Sequence, residues 1–91
     1  MKIIHNKENQ KFTMDVEGAT AFVDYKLKDG KMYLVYSEVP PSLRGKGVGK
    51  VLVEQTFELL TAQGYKAVAV CGYVKAIAKR SDKWNTIIDQ A

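Results

Sequence analysis

MYLVYSEVPPSLRGKGVGK, residues 32–50, holds a strand pattern, a stop and a glycine-rich loop in that order. Met32 to Val39 is rich in aromatic and branched residues, which suit a pleated, half-buried strand. Pro40-Pro41 ends it, because proline has no N–H to donate to a ladder. Arg44-Gly45-Lys46-Gly47-Val48-Gly49-Lys50 then sets glycines among cations, directly ahead of a change of period. Val48, Val51, Leu52, Thr56 and Leu59 fall on one helical stripe, broadened by Val53, Phe57 and Leu60. Gly64 is a left-handed stop after Gln63. The spacing predicts a strand over 32–39, a basic loop, and a helix over 48–63.

Upstream, Ile3-Ile4-His5 reads as a short first strand. Phe12, Met14 and Val16 alternate with polar residues, and Ala19, Ala21, Val23, Tyr25 and Leu27 continue the alternation beyond Gly18, the signature of half-buried strands. Asp29-Gly30 is a hairpin signal, since a type I′ turn needs positive φ at both central residues. Downstream, Tyr65 to Val70 reads as a buried strand, and strand–helix–strand at this spacing predicts a right-handed parallel crossover. After Cys71-Gly72, Tyr73 to Arg80 supports a short helix, and the remaining tail carries no strong pattern. The expectation is an α+β fold in a single domain over residues 1–91: an antiparallel meander leading into one β-α-β unit, with a short C-terminal helix.

The net charge of +4 is compatible with an anionic ligand. Basic residues are dispersed among acidic ones, as in Lys7-Glu8 and Lys28-Asp29, which argues against a nucleic-acid surface. The denser basic clusters are Arg44–Lys50 and Lys75–Lys83. No run approaches the ~18 apolar residues of a membrane span, and the start Met1-Lys2-Ile3-Ile4-His5 lacks a signal-peptide pattern. One cysteine builds no internal disulfide framework. These features predict a soluble cytoplasmic protein with no membrane partner. No metal ligands are assigned.

In the loop, glycine lets backbone N–H groups approach a ligand without a Cβ in the way, and a helix N-terminus adds unpaired donors and partial positive charge. Together these make a site for a pyrophosphate. A flexible basic turn is the bland alternative. A Walker loop does not fit, because Lys50 stands where its second glycine belongs; a Rossmann fingerprint does not fit, because position 52 is leucine and Tyr65–Val70 carries no acid for a ribose.

Arg44-Gly45-Lys46-Gly47-Val48-Gly49 does match Gln/Arg-x-x-Gly-x-Gly/Ala, and so resembles the acetyl-CoA signature of the GNAT superfamily of N-acetyltransferases. From about Ile3 to Trp84 the chain is similar to the short GNAT-like proteins, through the Asp29-Gly30 meander, the Ser37-Glu38-Val39-Pro40 strand end, the loop, and Cys71 ahead of a short helix. Tyr36-Ser37 stands where such relatives carry histidine-threonine, and Gly72 where they commonly have proline. The resemblance implies that acetyl-CoA lays its pyrophosphate on the amides of Gly45 to Gly49, with Arg44, Lys46, Val48 and Lys50 around it. It implies pantetheine beside Ser37 to Val39, a thioester reaching between two splayed parallel strands near Cys71, and Lys79, Arg80 or Lys83 at the adenosine 3′-phosphate. Glu38 is then the candidate general base. Cys71 is a candidate acetyl acceptor, proton donor or tunnel lining, and Tyr73 is the phenol nearest the site, since Ile77 and Ala78 are apolar. His5 reads as structural. The implied function is acetyl transfer to an amine, with a macromolecular acceptor or a partner subunit completing an unlidded groove; the alternative is a non-catalytic CoA-binding sensor or accessory module.

Overall fold

The computed structural model describes residues 2–91. Six strands form one sheet in sequence order: β1 (Ile3–Asn6), β2 (Lys11–Val16), β3 (Ala19–Lys28), β4 (Lys31–Glu38), β5 (Lys66–Ala69) and β6 (Asp89–Gln90). β1 to β4 are antiparallel neighbours, and β5 and β6 add in parallel. The hairpin between β3 and β4 turns at Asp29 and Gly30, both with positive φ (53° and 77°), as the sequence requires. The α+β class, the meander and the parallel crossover are as the sequence predicts.

The core follows from alternation. Phe12, Met14, Ala21, Val23, Tyr25, Met32, Leu34, Ala67 and Ala69 are all buried. Successive strand residues point to opposite faces, so this set lies on one face of the sheet. Against it pack α1 (Val48–Ala62), α2 (Gly72–Lys79) and α3 (Asp82–Ile87). In α1 the fully buried stripe is Leu52, Val53, Thr56, Phe57 and Leu60, while Val51 and Leu59 lie only partly buried at its edges. The predicted stripe is therefore turned slightly about the helix axis. Buried Thr56 is satisfied, its Oγ1 donating to Leu52 O at 2.8 Å. The helix closes with Gly64 N donating to Thr61 O and Tyr65 N to Leu60 O, the paired bonds of a Schellman end, with Gly64 at φ 84°.

The patternless tail is structured. Ser81 Oγ caps α3 by accepting from Trp84 N at 3.2 Å. Trp84 and Ile88 are each 3% exposed, and the Trp84 ring lies 5.3 Å from that of Phe57. A six-residue helix and a two-residue strand are too short to leave a period in the sequence.

One irregularity sets the course of the β4 end. β3 and β4 pair Phe22 with Glu38, Val23 with Ser37 and Asp24 with Tyr36, then Tyr25 with Leu34, leaving Val35 as an extra residue. This β-bulge shifts the inward set of β4 from Met32 and Leu34 to Ser37 and Val39. The parallel ladder with β5 runs only from Lys31 with Lys66 to Leu34 with Ala69. Val70 N and Cys71 N both turn in to Leu34 O, at 3.0 and 2.9 Å. Beyond that point β4 has no partner strand on its β5 side among the described residues. No helix among the described residues is long and apolar enough to cross a membrane.

Truncating Trp84 to alanine is expected to cost about 3–5 kcal/mol in urea unfolding, as for other buried large aromatics. A loss under about 1 kcal/mol would show that the tail does not dock on α1 in solution.

Candidate functional site

Where β4 parts from β5, a cavity of about 420 Å³ opens. Its walls are Tyr36, Ser37, Glu38 and Val39 of the β4 end, Leu43, Arg44, Gly45, Gly47, Val48 and Gly49 of the loop and α1, and Tyr73 of α2. Nine residues singled out from the sequence meet here: Ser37, Glu38, Val39, Arg44, Gly45, Gly47, Val48, Gly49 and Tyr73.

The loop is built to hold its backbone open. A 3-10 turn, Pro41–Leu43, follows the strand, and Leu43, 1% exposed, anchors it in the core. Arg44 Nε donates to Val39 O at 3.1 Å and ties loop to strand end. Gly47 is the N-cap of α1 at φ 74°, with no side-chain cap and no acidic residue in the first turn. The unpaired N–H groups and the positive end of the helix thus remain available to an anion.

The glycines divide the work. Gly45 (φ 81°) and Gly47 take left-handed conformations that a side chain strains. Gly49 is needed for another reason: a Cβ there would stand 2.5 Å from the Tyr73 hydroxyl oxygen. Its third glycine position therefore seats the phenol of α2 against the first turn of α1.

Cys71 is the N-cap of α2, partly buried, with Sγ 3.3 Å from Ser37 Oγ. It stands beside a cavity wall residue rather than among the residues that line the cavity. Burial pushes its thiol up, but hydrogen bonds from the Ser37 hydroxyl and from the backbone N–H groups of Val74, Tyr73 and Ser37 outweigh burial and hold it below the ordinary thiol value.

Tyr36 is a wall residue that the sequence reading did not select. Its hydroxyl donates to Glu38 Oε1 at 2.8 Å, and that bond, then the carboxylate's charge, raise the phenol above its usual value. The signal was present, since Tyr36 stands two residues before Glu38 on a strand and so shares its face. Leu43 was also missed, hidden between prolines and the loop.

Several basic residues lie elsewhere. Lys46 Nζ pairs with Glu17 at 3.0 Å, outside the cavity. Lys50 and Arg80 share a second concavity with Glu54, Ile77 and Ser81. Lys79 lines neither. Lys83 pairs with Glu58 at 2.7 Å and covers the Trp84 ring at 4.4 Å. His5 is clamped between Gln63 Oε1 (2.7 Å) and the Tyr25 hydroxyl (2.6 Å) and stacks on Phe12, a structural position remote from the site. Among the described residues no group of three or more His, Cys, Asp or Glu is placed to hold a metal ion.

A family model described as GCN5-related N-acetyl-transferase matches residues 11–87. Among solved structures, the NMR solution structure of a GCN5-like protein from Staphylococcus aureus is similar, with a TM-score of 0.71 and 24% identity over 99% of this chain and 89% of that one.

Alkylation of Cys71 by iodoacetamide is expected to rise with pH through a midpoint below that of a free cysteine. Replacing Ser37 with alanine removes one bond to the thiolate and should move the midpoint upward; an unmoved midpoint would mean the Ser37 hydroxyl does not favour the thiolate. Gly49→Ala should displace the exposed end of Tyr73 rather than unfold the chain, read as shifted Tyr73 ring resonances at stability unchanged within about 0.5 kcal/mol.

Proposed function

Because the chain belongs to the GCN5-related N-acetyl-transferase family, we propose that this cavity binds acetyl-CoA and that the protein transfers its acetyl group to an amine. The observation that carries this reading is the meeting, in one cavity, of an uncapped helix N-terminus with the unpaired end of β4. The first suits a pyrophosphate. The second leaves backbone groups of Ser37 to Val39 free to pair with the amides of a pantetheine arm, as a neighbouring strand would.

The residues fit the group. A Cβ added at Gly45 or Gly47 would meet no atom within 4 Å, so space lies open over that backbone, and Gly45, Gly47, Val48 and Gly49 all line the cavity. Arg44 keeps its terminal guanidinium nitrogens for phosphate oxygens while Nε holds Val39 O. Lys50 and Arg80, which share the second concavity, are the better candidates for the 3′-phosphate; Lys79 is a weaker one by position.

Acetyl-CoA supplies an acetyl group activated as a thioester. The chain's own part is to orient it and to move protons. Glu38 Oε1 is occupied by the Tyr36 hydroxyl, which leaves Oε2 to take a proton from the incoming amine, directly or through a water. Tyr73 lines the cavity and can return a proton to the departing sulfur. Cys71, one contact behind Ser37, can serve in one of two ways. As a thiol it protonates the departing sulfur. As a thiolate it takes the acetyl group while the thioester's sulfur leaves and is protonated by Tyr73, the acetyl then passing to the amine and restoring the Cys71 thiolate. This chemistry belongs in the cytoplasm, where a free thiol persists. If Glu38 takes no proton from an amine, the same cavity serves a CoA-binding sensor or accessory module.

Titration calorimetry tests the reading. Wild type should bind acetyl-CoA, and Gly47→Val should lose at least about tenfold in affinity with its far-UV spectrum retained, at a stability cost of about 1–2 kcal/mol from the left-handed φ. Undiminished affinity in that variant removes the loop from the site. Glu38→Gln should slow CoA release in the presence of an amine by about 10²-fold or more, and mass spectrometry of wild type after incubation reports whether acetyl resides on Cys71.

A further inference from the structure

All three helices pack on one face of the sheet, and the other face is uncovered. Register shows what stands on it. Lys28 lies opposite Lys31, and Lys31 opposite Lys66, giving three lysines in lateral line across β3, β4 and β5. Lys26, two residues from Lys28, extends the cluster. None of the four makes a salt bridge among the described residues. Like charges directly opposite on a sheet are destabilising, so the row is a place where an external anion is strongly favoured. Above it on the same face stand Tyr33, Val35 and Tyr36, an apolar and aromatic belt. Beyond the belt is Glu38, opposite Phe22. The carboxylate proposed as base thus stands on the uncovered face, not among the helices, at the far end of β4 from the lysines.

We propose that this face docks an acidic segment of a protein acceptor, held by Lys28, Lys31 and Lys66, and leads a lysine of that acceptor along β4 to Glu38. The inference rests on the acetyl-transfer reading of the same site and adds a substrate class to it. Glu38 lies seven positions beyond Lys31 along β4, a reach of roughly 23 Å at strand rise, so the acceptor's amine and its acidic stretch should be about six or seven extended residues apart. A nucleic acid fits less well, because Glu38 at the far end of the same face would oppose a phosphate backbone; Asp24 is already paired with Lys11 at 3.6 Å. A second copy also fits less well, since each carries a net charge of +4 and its own lysine row.

Blocked peptides carrying one lysine, six Ser/Gly residues and then four glutamates, or four glutamines instead, provide the probe. Fluorescence anisotropy at low salt should show the glutamate peptide binding at least tenfold more tightly, and its acetylation should have the lower KM. K28Q/K31Q/K66Q should erase that preference while leaving acetyl-CoA affinity and the far-UV spectrum unchanged, and K28E/K31E/K66E should reverse it. Equal binding of the two peptides to wild type overturns the proposal, as does a preference that survives in the variants. Tighter binding of a single-stranded oligothymidylate, or a wild-type dimer that the glutamine variant dissociates, assigns the face to another occupant and overturns it equally. If acetyl-CoA itself does not bind, the acetyl-transfer reading falls, and the peptide comparison still judges the docking surface on its own.

Discussion

One extra residue in β4 sets the geometry on which the site depends. With Val35 unpaired against β3, the strand bends, its inward set changes from Met32 and Leu34 to Ser37 and Val39, and its path leaves that of β5. Without the bulge, Ser37 would face outward with Tyr33, and could not approach Cys71. With it, Leu34 O becomes the last shared point of the two strands, accepting from both Val70 N and Cys71 N. The opening is therefore pinned at its base by hydrogen bonds rather than left to a flexible loop. A cleft made this way costs the sheet several ladder bonds, which a bound chain-like ligand can restore.

The glycine-rich loop adds a second constraint. Two of its glycines serve backbone conformation and one serves a neighbour, the Tyr73 ring. The loop and α2 are thereby linked: Cys71, the N-cap of α2, has its Sγ 3.3 Å from Ser37 Oγ, and Tyr73, the second residue of the helix, lies against Gly49. Electrostatics follow the same division. Unpaired N–H groups and Arg44 make the helix side attractive to anions, whereas Glu38 and its Tyr36 partner face the other side of the strand.

The described residues cover one face of the six-stranded sheet with helices. There the aromatic pair of Phe57 and Trp84, the Schellman end of α1 and the Ser81 cap close the core. The opposite face is left open and carries Lys28, Lys31 and Lys66 in line.

How much of this was legible beforehand depended on the range of the interaction. The meander, the Asp29-Gly30 turn, the stop at Pro40-Pro41, the α1 helix and the basic glycine loop were readable, because alternation, turn conformation and helix period are written within a few consecutive residues. The helical stripe was read slightly off axis, since Val51 and Leu59 are as apolar as the residues that win the core. The tail was not readable, because Trp84 and Ile88 are placed by contacts with α1 and β5 and not by any period of their own. Most candidate residues of the loop and strand end meet in one cavity, but the direction of long cationic side chains is decided by whichever partner lies nearby: Lys46 turns to Glu17, and Lys83 to Glu58. The sequence by itself determined the class of fold and the basic, glycine-rich character of the loop, since both are local properties of the chain. Only the tertiary structure decided which side of β4 each of its residues serves. A bulge is a mismatch between two strands, and no single strand can carry it in its own sequence.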